Sequence, residues 1–183
     1  IETDGNIEEA IEALRKAGAA KAAKKADREA GEGRIAIAGN AMVKLNCETD
    51  FVGKNETFVA LVQELADKAN SEGEEALKAY WEEIKSEKIQ TVGENLILSE
   101  IKIVEGDVVG GYVHSNGKIA VLAVLNGGSE EQAKDVAMHA AAMNPLVANP
   151  EEIDQALIDK EVEIYREQLV AEGKPENIID NII

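Results

Sequence analysis

Residues 34–46, Arg34-Ile35-Ala36-Ile37-Ala38-Gly39-Asn40-Ala41-Met42-Val43-Lys44-Leu45-Asn46, read as strand, turn and strand, with alternating apolar positions on either side of Ala38-Gly39-Asn40. The same order recurs later. Gly111-Tyr112-Val113-His114 leads through Ser115-Asn116-Gly117-Lys118, a strong tight-turn signal, into Ile119 to Leu125. Each hairpin is followed by a helical run, around Phe58 to Leu65 in the first copy and Ala133 to Met143 in the second. Leu96 to Val104 suits a strand that completes the first sheet. The expected fold class is α+β: an N-terminal helical segment, a duplicated hairpin, helix and strand core with antiparallel sheets, and a C-terminal helical hairpin.

The two copies differ at the joint between hairpin and helix. In the second it is turn and capping chemistry, Asn126-Gly127-Gly128-Ser129-Glu130-Glu131. In the first it is Cys47-Glu48-Thr49-Asp50-Phe51-Val52-Gly53-Lys54, which places Asp50 and Phe51 on a rim where strand gives way to helix. Locally, an Asp beside a Phe reads equally as a helix cap next to a core residue. An apolar side chain added to only one of two like joints favours a working site there.

Bulk composition narrows the options. With 183 residues, 45% apolar, the chain can bury a real core, and 3% aromatic content makes that core mostly Ala, Ile, Leu and Val. A net charge of -17 repels a phosphate backbone, so direct nucleic-acid binding is not expected; the charge reads mainly as solubility, with a basic partner surface as the sharper option. Cys47, the single cysteine, cannot form an intrachain disulfide and reads as a small buried apolar residue in a reducing compartment. No apolar run approaches the ~20 residues that span a bilayer. Ile1-Glu2-Thr3-Asp4 does not read as a signal peptide, and none is expected. The expectation is a soluble intracellular protein without a membrane partner.

Taken in order, Asp4-Gly5-Asn6 should cap a helix through Ile7, Ala10, Ile11 and Leu14, with Glu9 closing a capping box and Gly18 ending the helix. The charge balance inverts from Arg15 to Arg28, and within that stretch Ala19 to Ala26 reads as a solvated helical linker rather than an RNA patch, since no aromatic interleaves it. Gly31-x-Gly33-x-x-Ala36 follows a helix and opens a strand, the reverse of a dinucleotide cradle. Gly117-Lys118 lacks phosphate-loop spacing. Asn70 to Gly73 should be a loop, and Glu74 to Lys88 a helix in which Trp81 is a core contact. His114 ends a strand, whereas His139 should be packed in a helix. The two histidines have no metal-site spacing, and no nucleophile and base arrangement makes an enzyme, so neither cofactor nor catalytic chemistry is expected. Glu151 to Glu172 and Glu176 to Ile183 read as the helical hairpin. The expected divisions are 1–32 (helical segment and linker), 33–105 and 106–150 (two core subdomains), and 151–183 (helical hairpin).

Asn46-Cys47-Glu48-Thr49-Asp50-Phe51-Val52 resembles the signature of the elongation factor Ts family, the guanine-nucleotide exchange factors of the translation GTPase elongation factor Tu. Lys21 to Ala26, Val92-Gly93-Glu94-Asn95, Glu105 to Gly110 and Met138-His139-Ala140-Ala141 occur in the order the family has them. The resemblance implies an elongation factor Tu partner in its GDP or nucleotide-free form, with Asp50 and Phe51 as an intruding pair that disturbs Mg²⁺ and phosphate contacts. Thr49 and Val52 flank that pair, and Val92, Gly93 and His114 lie at matching contact positions. It also implies a homodimer in some members, and a bacterial cytoplasmic or organelle stroma or matrix location. Against the family pattern the first segment would be an incomplete UBA-like module, the second core subdomain would be incomplete and the last arm cut short. Gly53 stands where the family often has Ala, which should loosen the joint by up to ~1 kcal/mol. The rival readings are an acidic non-catalytic adaptor on a translation or chaperone component, and a metal-dependent hydrolase using both histidines.

Overall fold

The structure, a computed structural model, describes residues 6–183; Asp4 and Gly5 of the expected first cap lie outside the described residues. The described residues fold as two compact units, 6–143 and 144–183. It is α+β, with one three-stranded and one two-stranded antiparallel sheet.

In the first unit, β1 (Glu32–Ala38) and β2 (Ala41–Cys47) form the hairpin read from sequence, paired from Glu32 opposite Cys47 to Ala38 opposite Ala41. Strand β2 is central, and β3 (Ile97–Ile103) pairs on its other side. Ala41, Val43, Leu45 and Cys47 are fully buried on one face of β2, as strand alternation demands. The β2 to β3 register shifts between Lys44 and Leu45, and the hydroxyl of Ser99 at that bulge donates to Asn46 Oδ1 at 2.6 Å. The bulge lies directly before the joint.

A short helix α2 (Asp50–Lys54) leads into α3 (Glu56–Glu72), which lays Phe58, Leu61, Val62, Leu65, Ala66 and Ala69 on the sheet. Burying Phe58 alone contributes about 2–3 kcal/mol. The next helix, α4 (Glu74–Val92), adds Leu77, Trp81 and Ile89 to the same core. Two expected boundaries move. No loop spans 70–73, because helix continues to Glu72 and Gly73, at φ 88°, makes the whole break; α4 also runs past Lys88 to Val92.

Helix α1 (Ile7–Ala23) is capped by Asn6, which accepts from the N–H groups of Glu8 and Glu9 at 3.1 and 3.3 Å. Gly18 does not end it. The glycine is buried within the helix, with the end of the Gln90 side chain of α4 lying 2.5 Å from where its Cβ would be. Nor is the basic stretch merely a solvated linker: Ala22 is buried, Lys25 Nζ donates to the Gly93 carbonyl, and Asn95 Nδ2 donates to the carbonyls of Ala26 and Arg28 at 3.3 and 2.8 Å.

The second hairpin, β4 (Val108–Val113) and β5 (Ala120–Leu125), carries α5 (Glu130–Met143). Contact here is through small residues: Ala133 and Ala137 are fully buried, and a Cβ on Gly110 would lie 2.4 Å from the Lys134 backbone nitrogen. His139 is exposed rather than packed, because the Ala133 and Ala137 row sets the buried face. The tip of this hairpin rests on the first, where the Ile35 N–H donates to the Gly117 carbonyl at 2.8 Å and Lys118 pairs with Glu32.

In the unit 144–183, a 3-10 turn at Pro150–Glu152 occupies the start of the expected long helix, and α6 (Gln155–Ala171) begins after the Asp154 cap. A left-handed Gly173 ends it, with Lys174 N–H donating to Leu169 O at 3.0 Å and Gly173 N–H to Val170 O at 2.9 Å. Helix α7 (Glu176–Ile182) folds back, burying Ile179 with Leu169 and pairing Asp180 with Arg166. Among the described residues no helix is long and apolar enough to cross a membrane.

Candidate functional site: the joint between β2 and α2

Strand alternation carries Cys47 inward and leaves the chain to turn at Glu48 and Thr49. Thr49 is extended (φ -122°, ψ 154°) and serves as the α2 N-cap, its hydroxyl accepting from the Val52 N–H at 3.4 Å. That is a long bond. Stronger restraint comes from Glu94, just beyond α4. One Glu94 oxygen accepts from the N–H groups of Glu48 and Thr49 at 2.9 and 3.0 Å, and the other from the Thr49 hydroxyl at 2.6 Å. The tie is reciprocal, because the Asn95 N–H donates to Glu48 Oε1 at 2.6 Å, and Arg28 lies 3.5 Å from that same oxygen. Hydrogen bonds to a charged acceptor are roughly twice as strong as neutral ones. At the far end of α2, Asn55 closes one helix and caps the next, accepting from the N–H groups of Thr57 and Phe58 at 2.9 and 3.4 Å.

Between these fixed ends the side chains divide. Val52 turns inward, half-buried against the core, and Gly53 is buried beside Cys47. Asp50 and Phe51 face out. Phe51 is 83% exposed, whereas the only other phenylalanine, Phe58, is 2% exposed. Local pattern left a core residue and a displayed one equally open for Phe51, and the ring is displayed.

Asp50 forms an ion pair with Lys54 one turn on, at 2.6 Å. The Lys54 hydrogen bond and charge, helped by Lys118 on the second hairpin, hold its carboxyl below the ordinary aspartate range. Asp50 is therefore anionic at neutral pH. Cys47 behaves oppositely: burial, then the charges of Glu94 and Glu32, push its thiol up to about 11, so it stays protonated and inert.

The other expected site residues fall into two places. Gly93 closes α4 in the left-handed conformation (φ 85°) and is exposed; Val92 before it is half-buried. Both adjoin Glu94, so the clasp brings this corner against 49–52. Val52 and Val92 also share a groove of about 470 Å³ between α3 and α4, with Phe58, Leu61, Glu64 and Glu87 in its walls. His114 stands apart on the second hairpin, exposed, its Nδ1 3.0 Å from the Tyr112 hydroxyl. It reaches the joint only through its hairpin tip, where Lys118 approaches Asp50. Nothing local in the sequence marks Glu94 and Asn95 as supports of the joint. They form a polar pair directly after a helix-ending glycine, but their partners lie 46 and 47 residues earlier.

Among the described residues no group of three or more His, Cys, Asp or Glu is placed to hold a metal ion. The arrangement offers a displayed aromatic ring and a carboxylate on a braced corner. That suits insertion into another protein.

Comparison with known proteins places the chain. A family model described as "Elongation factor TS" matches residues 48–183. Elongation factor Ts of Teredinibacter turnerae is 44% identical over all of this chain, which spans 67% of that relative. Elongation factor Ts of Christiangramia forsetii is 42% identical, again over the whole chain and 72% of the relative. Elongation factor Ts of Deinococcus radiodurans is 44% identical, over the whole chain and 74% of the relative. The chain thus belongs to the elongation factor Ts family, a family of protein-biosynthesis elongation factors.

Proposed function

We propose that this protein binds elongation factor Tu and promotes GDP release by inserting the Asp50 and Phe51 corner. The observation that carries this reading is the exposure of Phe51 on a turn tied at both ends. A GTPase holds its nucleotide through phosphate contacts to a backbone cradle and through Mg²⁺. An exchange factor shifts that equilibrium only if it binds the emptied state better than the loaded one.

A displayed ring provides that difference if its pocket opens only when the partner's phosphate-binding region moves. Burying the ring is then worth about 1.5–3 kcal/mol in the emptied state alone. The carboxylate of Asp50, charged at neutral pH, competes for polar contacts near the metal. Thr49 sets the corner, Val52 and Val92 shape the adjoining groove, and Gly93 and His114 offer exposed contact points. The protein performs no bond chemistry of its own in this reading.

Capture of elongation factor Tu on immobilised protein, with and without excess GDP, tests the coupling. Strong retention without nucleotide and release on adding GDP is the expected result. Equal retention under both conditions would instead identify a passive acidic adaptor.

A further inference from the structure

We propose that Glu94 is a positioning residue for exchange, clasping the loop between β2 and α2 so that Phe51 meets the partner from one fixed direction. The inference rests on the reading of Phe51 above and deepens it. Helix α2 is only five residues long, and its own cap is the 3.4 Å contact between Val52 N–H and the Thr49 hydroxyl. A helix so short cannot hold its first turn unaided.

Glu94 supplies what is missing. Its carboxylate takes both backbone N–H groups of the loop and the Thr49 hydroxyl, and Glu48 returns a bond to the Asn95 N–H. The clasp is itself backed from behind, where Asn95 holds the carbonyls of Ala26 and Arg28 and Lys25 holds that of Gly93. The direction of an exposed ring one residue into α2 is therefore set by a carboxylate on a distant part of the chain. Without it the two loop N–H groups turn to water and Phe51 samples many orientations, so that ordering it costs entropy at the moment of binding.

The test compares Glu94→Ala, Phe51→Ala and the double variant in release of a fluorescent GDP analogue from elongation factor Tu, with backbone hydrogen exchange on the free protein. Glu94→Ala should slow release about ten-fold and speed exchange at the Glu48 and Thr49 amides about ten-fold or more. Glu94→Gln, which keeps an acceptor oxygen at the same reach, should recover release to within about two-fold. The double variant should be no slower than Phe51→Ala, because residues acting through one another do not add.

Multiplying effects in the double variant, a wild-type rate for Glu94→Ala, or unchanged amide exchange would each overturn the proposal. A wild-type rate for Phe51→Ala alone would overturn the underlying reading, and this inference with it. Should Glu94→Ala lose its far-ultraviolet dichroism, Glu94→Asp, one methylene too short to reach both sides of the loop, takes its place with the same expectations and a smaller slowing.

Discussion

The first unit uses one structural idea twice and finishes it differently each time. In the second copy, the step from strand to helix is self-contained: Gly127 and Gly128 turn the chain, Ser129 caps Gln132 at 3.3 Å, and Gln132 returns a bond to Ser129 N–H at 2.9 Å. That is a reciprocal capping box built within four residues. In the first copy the local cap is the long 3.4 Å bond to the Thr49 hydroxyl, and the loop before the helix is held by Glu94, 46 residues beyond Glu48; the helix that follows carries the exposed Phe51. A local cap ends a strand economically. A distant brace on the loop would, in the proposed reading, fix the direction in which Phe51 meets a partner.

The cores differ in the same sense. Helix α3 grips its sheet with Phe58, Leu61, Val62 and Leu65, whereas α5 sits on β4 through Ala133, Ala137 and Gly110. Large side chains leave room to adjust, but a glycine against a helix backbone leaves none. Gly110→Ala should therefore give the largest loss of stability, about 2–3 kcal/mol by overpacking, read as a lowered denaturation midpoint. A near-neutral result would show that the second copy yields as easily as the first.

Gly53→Ala sharpens the comparison from the other side. A Cβ there would meet Gly33 O at 3.5 Å and Cys47 Sγ at 3.7 Å, both ordinary contacts, at a helical position without left-handed backbone. The substitution should stabilise the protein by about 0.5–1 kcal/mol in urea denaturation. Destabilisation would mean that the space beside Cys47 is tighter than these contacts imply.

Much of this was legible in the sequence because it was local. The alternation in Met42 to Leu45, the Asn116-Gly117 turn and the Phe58 to Leu65 stripe each fix an element without outside help. What escaped depended on distant partners. Gly18 looks like a helix stop until Gln90 is seen against it, and the basic run from Lys24 to Arg28 looks solvated until Asn95 is seen holding its carbonyls. His139 was misplaced because alanines on every side hide which face is buried. Comparison of the two copies points to the joint, but the ties to Glu94 are legible in neither.

The central claim is tested most directly by Phe51→Ala in stopped-flow release of a fluorescent GDP analogue from elongation factor Tu. Because the ring is 83% exposed, its loss should shift folding stability by no more than about 0.5 kcal/mol. Release should nonetheless slow by about ten- to hundred-fold, the rate equivalent of the burial it forgoes. Release at the wild-type rate by a stably folded Phe51→Ala protein would contradict the account.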